Sequence, residues 1–193
     1  MSDLFVIFIS TCLVNNLVLN HLLGLPPGIA LSRKIDIAAG LSCAMTLILT
    51  VTAAVTFSVN RLLLIPLGLE YLEPGALLLI IALVIAVLDR VLNFTRPAWH
   101  ANIGVFFPLT YINSAVMGTA LLAAGHSFGF AGALSFGLGS GVGYGLVMTM
   151  LAAIEERLAV ADIPAPFRGI SIILITLGIM SMAFMGFTGL VTL

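Results

Sequence analysis

Two long apolar stretches of this sequence contain polar side chains that could line a site inside a membrane. They hold Asn15, Asn16, Pro108, Thr110, Asn113 and Ser114. An amide near the middle of a bilayer is costly unless it bonds a neighbouring helix or lines a functional site. A proline removes a helix hydrogen bond, and backbone freed at that depth must face protein or a cavity. The pattern predicts either a polar pathway at two broken helices or a kinked helix whose polar groups bond to neighbours.

The two stretches also share a short motif. Residues 14–19 (VNNLVL) resemble residues 112–117 (INSAVM). Paired broken segments in two halves of a chain are typical of the functional site in a repeat-built membrane protein. We therefore predict a single domain, 1–193, with repeat one at about 1–97 and repeat two at about 98–193.

The composition identifies the class of protein. Hydrophobic residues make up 61% of the chain and charged residues only 8%, where a soluble domain has about 25%. A membrane span needs about 20 apolar residues. The predicted spans are roughly 4–24, 36–57, 73–93, 101–124, 128–153 and 170–191. With a net charge of −1 and scattered basic residues, a nucleic-acid partner is excluded.

Basic residues in the loops predict the orientation. Loop one contains Arg33 and Lys34, and the regions around loops three and five contain Arg90, Arg96, Arg157 and Arg168, whereas loop two contains only Arg61. The positive-inside rule then puts the odd loops in the cytoplasm and both termini in the periplasm. With three spans per half, the two repeats enter the membrane oppositely. The predicted fold is an all-α integral membrane protein: six transmembrane helices in two inverted three-helix repeats, with broken first and fourth helices.

Glycines in the fifth span form two rows with helical spacing. One row is 137, 141 and 145, and the other is 139 and 143. Such rows favour close contact between membrane helices. A nucleotide-binding loop is the alternative, but neither a preceding strand nor the GxGxxG spacing is present.

No set of residues forms a catalytic constellation. Cys12 and Cys43 lie in apolar runs without CxxC or His spacing, so both are interpreted as free thiols packed as small hydrophobes. The sequence has no Ser–His–Asp arrangement, zinc-ligand cluster or P-loop. We predict no catalytic residue and no metal site in this chain.

Several stretches resemble one known family. The most specific is ERLAVADIPAPFRG at 156–169, and others are LVNN at 13–16, LLGL at 22–25, GVFFPL at 104–109, GTALL at 118–122 and MAFMGF at 182–187. Together they are similar to the RnfA/NqrE family of membrane subunits, over essentially the whole chain. The resemblance implies a component of a complex that couples ferredoxin/NAD(H) redox chemistry to ion translocation across the bacterial inner membrane.

The family also implies partners and cofactors. An RnfE-like homologue pairs with the RnfA-like chain about a pseudo-two-fold axis, and RnfB, RnfC, RnfD and RnfG-like subunits carry FMN, riboflavin and iron–sulfur clusters. A [2Fe–2S] cluster is implied at the pair's junction, held by two cysteines from each chain. Those positions are Pro26 and Ser114 here. Proline has no donor atom and a hydroxyl is a poor substitute for thiolate, so we expect this chain alone to bind no cofactor.

Two other functions fit the same residues. A stand-alone secondary transporter built on an inverted repeat would also have broken helices. A structural assembly subunit of a diverged redox complex is favoured by the missing cysteines. Co-purification with flavin- and iron-carrying subunits distinguishes the complex from the transporter.

Overall fold

A computed structural model of the protein describes residues 2–25, 35–103, 106–111, 113–125 and 129–188. Those residues form helices and turns and contain no strand, so the predicted all-helical class is confirmed. Within them, Ile35–Leu64, Glu73–Thr95 and Phe130–Leu158 are long and apolar enough to cross a membrane. Shorter apolar helices are Asp3–Val14, Ser114–Gly125 and Ile170–Met185.

The helices are numbered in chain order. In the first half they are α1 (Ser2–Ile9), α2 (Leu17–His21), α3 (Ile35–Val59) and α4 (Glu73–Thr95). In the second half they are α5 (Pro97–Ile103), α6 (Phe107–Thr110), α7 (Ser114–Gly125), α8 (Phe130–Leu158) and α9 (Ile170–Met185). One π-helical turn, Ser10–Val14, continues α1, and another, Asn60–Leu64, continues α3.

Helices α3 and α8 form the centre of the bundle and run antiparallel. A Cβ atom added to Gly141 would lie 2.5 Å from Cα of Thr46, and one added to Gly145 would lie 3.0 Å from Cβ of Ser42. As residue numbers rise along α8, the contacted numbers fall along α3. The row at 137, 141 and 145 therefore lets two backbones approach closely, as predicted.

The second glycine row faces a different helix. A Cβ atom on Gly139 would lie 2.7 Å from the carbonyl oxygen of Phe8, and one on Gly143 would lie 2.8 Å from that of Cys12. Consecutive helical residues are about 100° apart, so the two rows lie on opposite sides of α8. Helix α8 is thus packed between α3 and the extended α1, which confirms both predicted rows.

The helix of the second predicted span is longer than predicted. It continues past residue 57 through the π-helical turn, where the guanidinium of Arg61 lies 5.7 Å from the ring centroid of Phe57. Nδ2 of Asn60 donates a hydrogen bond to Oε1 of Glu73, at 3.4 Å. The connection between the second and third predicted spans therefore begins as helix and is tied to the start of α4.

The outer faces of α4 and α9 are apolar and exposed on the isolated chain. Their exposed side chains include Leu78, Leu79, Leu83, Phe94, Ile170, Leu174, Ile179 and Met182. Soluble monomers rarely expose contiguous apolar surface on this scale. These faces fit contact with lipid or with other membrane subunits.

Candidate functional site: the junction of two interrupted helices

The first interruption separates the π-helical turn after α1 from α2, and Asn16 spans it. Its buried Oδ1 accepts hydrogen bonds from the N–H groups of Val18, at 3.0 Å, and Leu19, at 3.4 Å. Its Nδ2 donates to the carbonyl oxygen of Cys12, at 2.8 Å. One amide therefore satisfies backbone groups on both sides of the break, which lipid could not do.

Asn15 has a smaller role. It is exposed, and its Nδ2 donates to Oγ of Ser10, at 2.9 Å. The sequence motif aligned Asn15 with Asn113, but the residue that caps the helix after the first break is Asn16.

The second interruption lies between α6 and α7. Oδ1 of Asn113 accepts a hydrogen bond from the N–H of Ala115, at 2.9 Å, and Nδ2 donates to Sδ of Met45, at 3.5 Å. Asn113 is buried and caps α7 in the way that Asn16 caps α2. The two interruptions thus use the same side-chain chemistry.

Two further predicted residues lie before the second interruption. Pro108 is exposed in the first turn of α6, where the missing N–H has no helical partner to lose. Thr110 is buried, and its hydroxyl donates to the carbonyl oxygen of Phe107, at 2.7 Å. Among the described residues, α6 therefore begins at Phe107, next to Pro108, and ends after Thr110.

The segment that follows α2 meets the second interruption at Gly24. The chain leaves α2 through left-handed backbone, with φ of 55° at Leu22 and 80° at Gly24. The N–H of Gly24 donates to Oγ of Ser114 at the start of α7, at 2.9 Å. The hydroxyl of Tyr144, in the middle of α8, donates to the carbonyl oxygen of Gly24, at 3.4 Å.

Only glycine fits at position 24. Its positive φ is strained for any other residue, and an added Cβ atom would lie 2.7 Å from Cε2 of Tyr144 and 2.9 Å from Cβ of Ala115. The same Cβ atom would lie 3.3 Å from Oδ1 of Asn113. Tyr144 was not predicted as a site residue, since no local pattern in the sequence marks it.

The geometry around Ser114 tests the cluster that the resemblance implies. Oγ of Ser114 already accepts a hydrogen bond from Gly24, and the space beside that glycine is filled by other side chains. The other position, Pro26, lies outside the described residues. Within the described ranges, no group of three or more His, Cys, Asp or Glu side chains could hold a metal ion. One bonded hydroxyl does not fit the thiolate set of a [2Fe–2S] cluster.

The two cysteines cannot replace the missing ligands together. Cys12 is buried, and its Cα and carbonyl oxygen lie within 3.0 Å of a Cβ atom added at Gly143. Cys43 is exposed and lines a groove of 640 Å³ between α3 and α8, which Gly145 also lines. Positions 143 and 145 face directions about 200° apart around α8, so Cys12 and Cys43 lie on opposite sides of that helix.

Comparison with known proteins adds an independent result. A sequence profile described as "Rnf-Nqr subunit, membrane protein" matches residues 4–191. A protein of Psychromonas ingrahamii, named as the A subunit of the ion-translocating oxidoreductase complex, is 46% identical over 99% of this chain and 100% of its own length. Proteins with the same name from Yersinia enterocolitica and Yersinia pseudotuberculosis are 47% identical, over 99% of both chains.

Proposed function

Because this chain belongs to the Rnf-Nqr family of membrane subunits, we propose that it is a component of an Rnf-type electron-transport complex. The complex would couple ferredoxin/NAD(H) redox chemistry to ion translocation across the inner membrane. The observation that carries this proposal is the full-length likeness to proteins named as the A subunit of an ion-translocating oxidoreductase complex.

The proposed architecture has six spans in two inverted repeats, about 1–97 and 98–193. Equivalent helices begin at equal intervals in the two halves: α2 at 17 and α7 at 114, α4 at 73 and α9 at 170. The caps of α2 and α7, Asn16 and Asn113, are separated by the same interval. The antiparallel packing of α3 against α8 is also what an inverted relation requires.

This geometry suits a scaffold for ion movement better than a site of chemistry. The interrupted helices place the buried amides of Asn16 and Asn113 and the buried hydroxyl of Tyr144 within the bundle, with the exposed residue Ser114 bonded beside them. Polar groups at helix breaks are typical of ion and substrate pathways in membrane proteins. We propose that an RnfE-like subunit completes a two-sided structure whose breaks open alternately.

The cofactors would then belong to other subunits. RnfB, RnfC, RnfD and RnfG-like partners would supply FMN, riboflavin and iron–sulfur clusters, and this chain would contribute no thiolate. The donor set around Ser114 supports that division of roles. Electrons would pass the junction by a carrier held elsewhere in the complex.

Purification of the native complex through a tag on this chain tests the proposal. We expect subunits carrying flavin and iron–sulfur clusters to co-purify. In liposomes, the complex should transfer electrons between reduced ferredoxin and NAD⁺ while building an ion gradient, and a complex without this chain should not.

Two outcomes would support the other functions. A chain that purifies alone and moves a solute in liposomes would be a secondary transporter. If the remaining subunits, assembled separately, keep coupled turnover without this chain, its role is limited to assembly.

The proposed orientation has its own support and test. The N–H of Ile35 at the start of α3 donates to Oε1 of Glu156 near the end of α8, at 3.1 Å, so the start of α3 and the end of α8 lie on the same side of the bundle. In a Cys12→Ser/Cys43→Ser background, we expect an impermeant thiol reagent added from the periplasm to label Leu67→Cys and not Thr95→Cys. Labelling of Thr95→Cys alone would show that the orientation is the opposite of the proposed one.

A further inference from the structure

Gly24 is bonded on both of its backbone polar groups by the second half of the chain. Its N–H donates to the hydroxyl oxygen of Ser114, and its carbonyl oxygen accepts from the hydroxyl of Tyr144. These contacts join residues 90 and 120 positions apart. They therefore connect the end of α2 to α7 and to α8 at the same point.

Such long-range side-chain bonds are uncommon among the hydroxyl groups of this bundle. Many of the described serines and threonines donate to a carbonyl oxygen one turn earlier in their own helix, as Thr119 does to Ala115, at 2.8 Å, and Thr149 to Gly145, at 2.8 Å. Ser114 instead precedes any such carbonyl, because it is the first residue of α7. Its oxygen accepts from the N–H of Gly24, in another segment.

The packing around these bonds is close. Tyr144 is 1% exposed, and a side chain added at position 24 has no room beside its ring. A Cβ atom on Gly118, one turn along α7, would collide with Cδ1 of Leu23. The end of α2 is thus held against α7 by shape as well as by hydrogen bonds.

We infer that Ser114 and Tyr144 form a hydrogen-bonded clamp on Gly24 that holds the two interrupted helices together. They are positioning residues, since they set where the ends of α2 and α7 lie. The clamp consists of neutral groups, so it can open and close without a change of charge. It is a property of this chain and does not depend on electron transfer by the complex.

Hydrogen–deuterium exchange of the intact complex, read at the Gly24 amide, tests the clamp directly. In Ser114→Ala we expect this amide to exchange about threefold to tenfold faster, the range expected for loss of one hydrogen bond. Ser114→Thr keeps a hydroxyl and should restore slow exchange. Thr119→Val, which removes only a bond within α7, should leave it unchanged.

Tyr144→Phe provides a second variant in case Ser114→Ala fails to assemble. It removes the hydroxyl that donates to the carbonyl oxygen of Gly24 and should also speed exchange of the Gly24 amide. Thr149→Val in the same helix should not. Unchanged exchange in both Ser114→Ala and Tyr144→Phe would overturn the clamp.

Iron content separates the clamp from a metal site. We expect equal iron per complex in the wild type and in Ser114→Ala. A loss of iron in that variant would show that Ser114 is an iron ligand and would overturn the inference. A wild-type complex without electron transfer would contradict the proposed function but not protection of the Gly24 amide.

Discussion

Gly141→Ala should strongly reduce the amount of folded complex, whereas Gly178→Ala should leave it unchanged. The added methyl at position 141 would lie 2.5 Å from Cα of Thr46, which is backbone and cannot rotate away. Helices α3 and α8 would have to separate along their shared length. Overpacking of a core typically destabilises by about 1–3 kcal/mol, and a backbone collision at the central contact should reach the upper end of that range.

Gly178 is the matched control because it is also a glycine within an apolar helix. A Cβ atom added there meets no atom within 4 Å. Fluorescence-detected size exclusion of tagged variants, with a heating series, would give the yield and the apparent melting temperature of each complex. Equal melting temperatures for the two variants would contradict the close packing of α3 on α8.

Asn16→Leu should destabilise the protein far more than Asn15→Leu, although the two residues are adjacent. Leucine at position 16 would leave the carbonyl oxygen of Cys12 and the N–H groups of Val18 and Leu19 without their present partner. A buried polar group left unbonded costs about 1–3 kcal/mol. Asn15 is exposed and bonds one hydroxyl. The stability lost in Asn15→Leu should therefore be close to the average of roughly 0.6 kcal/mol for polar bonds in membranes.

A third variant separates the two roles of the Asn16 amide. Serine caps a helix start about as well as asparagine, but it is too short to reach back to Cys12, so Asn16→Ser should fall between the wild type and Asn16→Leu. Thermal unfolding of the purified complex and its ion-coupled turnover should be measured together. Similar losses of stability in Asn15→Leu and Asn16→Leu would show that Asn16 does not bridge the break.

The helices and the glycine contacts could be predicted from the sequence because both depend on local spacing. Apolar runs of sufficient length predicted α3, α4 and α8. Glycines four apart must share a helix face, so Gly141 and Gly145 were expected to meet another helix before that helix was known. That the partner is α3 on one side and the extended α1 on the other depended on the tertiary packing.

The candidate site was predictable only in part, for the same reason. Amides within apolar segments identified Asn16 and Asn113. The motif paired Asn113 with Asn15, however, because an alignment of residue types does not take into account where a helix begins. The sequence also suggested a break at Pro108, which lies in the first turn of α6, a position where a proline is tolerated. Capping depends on the helix start, which tertiary contacts helped to decide.

The contact between Gly24, Ser114 and Tyr144 was decided by the tertiary structure alone. The sequence by itself determined that the chain is apolar and helical and that it is interrupted near residues 15 and 113. Periodicity and composition describe each segment separately. Which hydroxyl reaches Gly24 depends on how three segments up to 120 residues apart pack together, and no local pattern records that.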